Sequence, residues 1–154
     1  MEKEIFRIID VNFNRSREGL RVCEDIARFI LNSPRLTKDL KAVRHKITDI
    51  LKYIEKSSRG NAYLRFKGKT LFESRDSEAD IGRVSKFRSE MKRLDVKDIF
   101  TANMERTKES LRSLEEFFKL IDKKVSTEFS TLRFKVYDIE KKAVKRIGSL
   151  RNNR

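Results

Sequence analysis

Apolar residues return at helical spacing along most of the chain. Over residues 8–31 a step of 100° per residue gathers Ile8, Ile9, Cys23, Ile26, Ala27 and Ile30 on one side, which predicts an amphipathic helix from about Lys3 to Leu31. The pattern stops at Asn32-Ser33-Pro34, where proline disfavours a helical residue before it. A second helix is expected from Thr37, with Leu36, Leu40, Val43, Ile47, Ile50, Leu51 and Ile54 on one face, fading at Ser57-Ser58-Arg59-Gly60. A third follows Asp95, a plausible N-cap, and carries Ile99, Phe100, Leu114, Phe117, Phe118 and Ile121 inward. The last, from about Ser126, buries Phe129, Leu132, Val136, Ile139 and Ala143 and is expected to fray in the basic tail Lys145 to Arg154.

These four stripes are two copies of one pattern. Asn12, Arg15, Glu18, Leu20, Arg21 and Glu24 recur as Asn103, Arg106, Glu109, Leu111, Arg112 and Glu115, all at an offset of 91 (Asn103 against Asn12). VRHKITDI, residues 43–50, likewise recurs as LRFKVYDI, residues 132–139, at an offset of 89 (Leu132 against Val43). A long helix followed by a second helix, twice, predicts two hairpins related by a pseudo-twofold axis and packed as an all-α four-helix bundle. The hairpins are expected at about 3–58 and 95–151 of a single domain, with a central loop and a short helix around Val84, Phe87 and Met91 between them. A domain-swapped or side-by-side homodimer, in which polar notches on the inward faces meet across a subunit interface, is the alternative arrangement.

Both apolar faces are notched by polar residues. The wheel puts Asn12, Ser16 and Gly19 in the inward stripe with Arg15 at its edge, and treats Asn103, Thr107, Ser110 and Arg106 the same way. One reading makes each notch a hydrogen-bonded plug holding the helices in register, because leaving such groups unpaired costs roughly 1–3 kcal/mol each. The other opens a cleft where the notches meet an anionic ligand, since arginine suits bidentate phosphate binding. The fold expectation places Asn12 and Asn103 face to face across the core.

Composition narrows the class. Of 154 residues 38% are hydrophobic and 40% charged, with one proline, five glycines and no tryptophan, which favours long solvated helices over sheets. Abundant Lys, Arg and Glu with a single cysteine resemble thermophile usage. The net charge of +14 equally suits a polyanionic partner, so a nucleic-acid-binding module and a non-catalytic helical scaffold stand as rival readings. One cysteine can form no intrachain disulfide, MEKEIFRIID has no apolar h-region, and no run of 18 apolar residues occurs, so a soluble, cytoplasmic protein without membrane contact is expected.

The chemistry-bearing loop is residues 74–82, Ser-Arg-Asp-Ser-Glu-Ala-Asp-Ile-Gly, which sets three carboxylates beside an arginine. It fails as an EF-hand, because with Asp76 in first position the glycine comes one place late and Phe87 falls where a ligating glutamate belongs. Gly68-Lys69-Thr70 echoes a P-loop, but Tyr63 holds its first glycine position. His45, the one histidine, maps to the outer side of its helix, which argues against histidine-based chemistry.

Taken in order, RIIDVNFNRSREGLRVCEDIARF, LKAVRHKI, ESRDSEADIG and the second copy from Ala102 to Glu116 resemble the alternative, helical hydroxymethylpyrimidine-phosphate kinases of thiamine biosynthesis, over about Ile8 to Glu140. The resemblance implies transfer of the ATP γ-phosphoryl group, with Mg²⁺, to hydroxymethylpyrimidine monophosphate. It also implies a link to thiamine-phosphate synthase, to which such domains are often fused, although no synthase barrel is found in these 154 residues. Arg75, Asp76 and Asp80 are then the catalytic candidates, Asp76 or Asp80 holding the metal or accepting a proton. Asn12, Arg15, Arg44, Asn103, Arg106 and Arg133 are the candidate phosphate clamps, and Gly82 and Glu109 are assigned to the nucleotide.

Overall fold

The computed structural model describes residues 2–57 and 92–152, and within them the fold is all-α. Helix α1 is Glu2–Phe29, α2 Pro34–Ser57, α3 Val96–Phe118 and α4 Lys123–Asn152. The α1–α3 interface is the most extensive, each of these helices packs on the partner in its own hairpin, and α2 touches α4 more lightly. The central segment, with the short helix expected near Val84 and the P-loop echo, lies outside the described residues.

The stripes read from the sequence form the core. Every inward residue expected of α2 and α4 is buried except Leu51, which packs half-buried against the rest. In α1 and α3 the stripe is narrower at its ends, for Ile30 is 49% and Ile99 37% exposed. Phe13, Phe118 and Phe129 lock one end of the bundle, with ring centroids 5.4–6.3 Å apart.

Three helix limits differ from expectation for local reasons. Helix α2 starts at Pro34 instead of Thr37, since proline's fixed φ suits a first helical residue and Ser33 Oγ accepts the Leu36 amide at 3.5 Å. The turn before it is set by Asn32, whose φ of 44° closes α1 in the left-handed region. Helix α4 starts at Lys123, where Asp122 accepts the Lys124 and Val125 amides at 2.9 and 3.2 Å. It then continues to Asn152, so the basic tail from Lys145 extends the helix where fraying was expected. Asp95 caps α3 as expected, accepting from the Asp98 amide.

The notches turn out to be a close helix crossing. Ser16, Gly19, Thr107 and Ser110 are buried, and a Cβ placed on Gly19 would lie 2.6 Å from Thr107 Oγ1 and 2.7 Å from the Asn103 carbonyl oxygen. Small residues let the two backbones approach, so α1 and α3 do not part here. Gly19 stands against Asn103, seven residues along α1 from Asn12, and the two asparagines are therefore not the facing pair that the repeat suggested.

Candidate functional site

The polar notch groups bond within their own helices. Asn12 Nδ2 donates to the Ile8 carbonyl and Asn103 Nδ2 to the Ile99 carbonyl, each at 2.8 Å. Ser16 and Thr107 hydroxyls donate to the carbonyls of Phe13 and Asn103. The plug between helices is instead made of ions. Arg44 Nε on α2 donates to Glu24 on α1 at 2.9 Å, and Arg133 Nε on α4 donates to Glu115 on α3 at 3.0 Å. Both carboxylates are buried, and each has a second arginine one turn earlier on its own helix, Arg21 at 3.8 Å and Arg112 at 2.8 Å.

The pseudo-symmetry breaks beside these clasps. Lys108 Nζ lies 2.6 Å from Glu105 and 2.7 Å from Glu140. Burial alone would lower its pKa, but hydrogen bonds to the two carboxylates, with their charges, outweigh that and raise it. The counterpart of Lys108 in the first hairpin is Arg17, and where Lys108 has Glu105 and Glu140, Arg17 has Asn14 and Leu51. The cation is kept and both counter-charges are gone. Among the described residues Arg17 Nε is buried without a hydrogen-bond partner, while Asn14 turns its amide to the Asp10 carbonyl and carboxylate at 3.0 and 3.4 Å.

A second asymmetry lies on the outer face of α4. Phe134 and Tyr137 stand where the first hairpin has His45 and Thr48. The Arg133 guanidinium lies 4.9 Å from the Phe134 ring centroid, and Lys108 Nζ 5.3 Å from that of Tyr137. A hydrogen bond to the Tyr137 hydroxyl, helped by Glu115 against burial, holds Arg133 above the ordinary arginine value.

Of the residues nominated from sequence, Arg44 and Arg133 are engaged by the buried glutamates. Arg15, Arg106 and Glu109 are exposed, and neither arginine makes an ion pair among the described residues. Arg75, Asp76, Asp80 and Gly82 lie outside the described residues. Among the described residues no three His, Cys, Asp or Glu side chains group as a metal site, and His45 is exposed as expected. Sequence reasoning paired Glu24 with Glu115 and Arg21 with Arg112 as repeat positions without giving them a role, and it passed over Arg17. The two offsets taken together show that Arg17 has neither of the carboxylates that its counterpart Lys108 holds.

A family model described as the ThiD2 family matches residues 7–142. The chain belongs to the ThiD2 family. Its curated relatives include proteins named thiamine-phosphate synthase. That of Rhodopirellula baltica is 35% identical over 135 residues, which cover 88% of this chain and 33% of the relative. That of Synechocystis sp. is 33% identical over 136 residues, 88% of this chain and 35% of the relative, and that of Nostoc sp. 31% over 140 residues, 91% and 35%. This ThiD2 chain thus spans about a third of the length of these relatives, and the kinship ties it to the thiamine pathway. The relatives are named for the synthase step, which differs from the kinase step that the sequence resemblance implies. No solved structure matches the chain.

Proposed function

We propose that this ThiD2 chain is a phosphomethylpyrimidine kinase, transferring the γ-phosphoryl group of ATP to hydroxymethylpyrimidine monophosphate to give the diphosphate. The observation that carries the reading is Arg17, whose buried Nε lacks an acceptor where its repeat counterpart Lys108 holds two carboxylates. The side chain is half-buried with its Nε turned away from solvent and lacking an acceptor, and a phosphate oxygen would supply one. Phosphoryl transfer draws mainly on such positioning and charge neutralisation, with little covalent work for the protein. The thiamine-pathway kinship and the ordered motifs around Asn12, Arg44, Arg75 and Asn103 support the same assignment.

In this reading Arg17 binds a phosphate oxygen, and exposed Arg15 and Arg106 draw anionic substrates toward the bundle. Mg²⁺ would supply charge neutralisation between the phosphates of ATP. Among the described residues no three carboxylates group as a metal centre, and Glu24, Glu115, Glu105 and Glu140 are each bound to cations. Asp76 and Asp80 keep the proposed role of metal ligands, and Arg75 that of pairing with the transferring phosphate.

The experiment is incubation with ATP, Mg²⁺ and hydroxymethylpyrimidine monophosphate, with free hydroxymethylpyrimidine as a control, followed by ³¹P NMR. A diphosphate formed from the monophosphate and not from the free alcohol is expected. Absence of any diphosphate rules the kinase reading out.

A further inference from the structure

The pseudo-twofold produces two clefts between α2 and α4, one toward each end of the bundle. The first, about 180 Å³, is lined by Lys46, Asp49, Ile50, Tyr53, Lys124, Val125 and Glu128. Its charges balance, for two carboxylates face two lysines and Lys46 meets Glu128 at 2.7 Å. The second, about 430 Å³, lies where the end of α4 crosses the start of α2, and its charged lining is Arg35, Lys142, Lys145 and Arg146. Arg35, Leu36 and Lys142 are the repeat counterparts of Lys124, Val125 and Tyr53, so the two clefts share three of their seven lining positions. Asp39 and Asp138, the counterparts of Glu128 and Asp49, do not line the second cleft.

Four cations therefore converge without a lining carboxylate, and none of them makes an ion pair among the described residues. Like charges so grouped repel one another, and natural surfaces generally intersperse the signs unless a field is wanted. Arg146 is held in place, its Nε donating to the Leu31 carbonyl at 3.2 Å and its own carbonyl accepting from Ser149 Oγ at 2.8 Å. Its terminal nitrogens remain as donors, and Ser33 and Ser149 add hydroxyls to the wall. The depression, about 430 Å³, is shallow and open to solvent, and all four cations on it are exposed. A nucleic-acid backbone would call for a longer run of cations than these four, which are confined to the junction of two helix ends.

We propose that this cleft binds a compact oligophosphate, held by Arg35, Lys142, Lys145 and Arg146 and separate from the position of Arg17. The phosphate chain of a nucleoside triphosphate and free inorganic polyphosphate share this chemistry. The proposal does not depend on the kinase reading, because its readout is binding.

Calorimetric titration of the whole chain with inorganic triphosphate, at low and moderate salt, tests it. Saturable one-to-one binding that weakens with salt is expected, falling at least about tenfold in the double variant Arg35→Gln, Lys145→Gln. Both residues are exposed, so the variant should keep its helicity and Tm. The control, Lys46→Gln with Lys124→Gln, removes the same charge from the balanced cleft and should leave binding unchanged. Titration with ATP separates the sources: equal affinity means that only the phosphate chain is read, and tighter binding of ATP, lost in the same double variant, means a nucleotide site. Absence of triphosphate binding, equal loss in the control, or binding of single-stranded RNA that triphosphate fails to displace would overturn the proposal.

Discussion

Arg44 holds Glu24 through a 2.9 Å hydrogen bond from its Nε, and Arg133 makes the same bond to Glu115 at 3.0 Å in the second hairpin. In each case a helix that starts a hairpin is fastened to the one that ends it by a buried carboxylate. The carboxylates cannot leave without stranding a guanidinium in the interface.

Glu24→Ala should accordingly cost about 3 kcal/mol, the lower end for breaking a buried ion pair, because Arg44 loses its counter-charge in a largely buried place. Urea denaturation measures this. Adding Arg44→Ala to Glu24→Ala should cost much less than Arg44→Ala alone, and simple additivity of the two would show that the residues are not coupled.

Two helical glycines should respond oppositely to alanine. At Gly19 the new methyl would meet Thr107 Oγ1 and the Asn103 carbonyl oxygen, and the backbone oxygen cannot move without shifting α3. A loss of about 1–3 kcal/mol is expected. At Gly148 nothing lies within 4 Å, so Gly148→Ala should add about 0.5–1 kcal/mol through helix propensity alone. Tm shifts of opposite sign check the pair.

Burial, with the Glu140 charge adding to it, pushes the Cys23 thiol from 9.0 up to about 12. The folded chain keeps this proton while the unfolded chain releases it near pH 9. The contribution of Cys23 to stability is thus complete below pH 9 and is lost as pH rises toward 12. Between pH 8 and 10.5 the wild type should lose more Tm than Cys23→Ala does. Iodoacetamide at pH 8 should label Cys23 only in denaturant, and rapid labelling of the folded chain would contradict its burial.

The stripes of α2 and α4 were legible because apolar spacing alone fixes which side of a helix is buried, and Leu40, Val43, Val136 and Ile139 lie where periodicity put them. Helix ends were less so. Pro34 reads as a stop for α1 and equally as the first residue of α2, and only the turn through Asn32 decides between them. Asn12, Gly19 and Asn103 were visible as a notch, but a single wheel cannot tell a cleft from a close crossing, since that depends on what the opposite helix presents. Arg17 was hidden for a related reason. Its missing partners sit on two helices with different offsets, Asn14 at 91 (against Glu105) and Leu51 at 89 (against Glu140), and neither repeat read alone shows both losses.

The most direct test of the account compares Arg17→Met with Lys108→Gln in the phosphoryl-transfer assay, following turnover and Tm together. Arg17 leaves a buried donor unpaired and Lys108 satisfies two carboxylates, so the pseudo-equivalent cations should behave oppositely. Arg17→Met should lower turnover at least about 10²-fold, as expected for one lost transition-state donor, with Tm unchanged or raised. Lys108→Gln should lower Tm and keep turnover near wild type. Wild-type turnover in Arg17→Met together with a lowered Tm would contradict the account, for it would make Arg17 a packing residue and remove the observation on which the kinase reading rests.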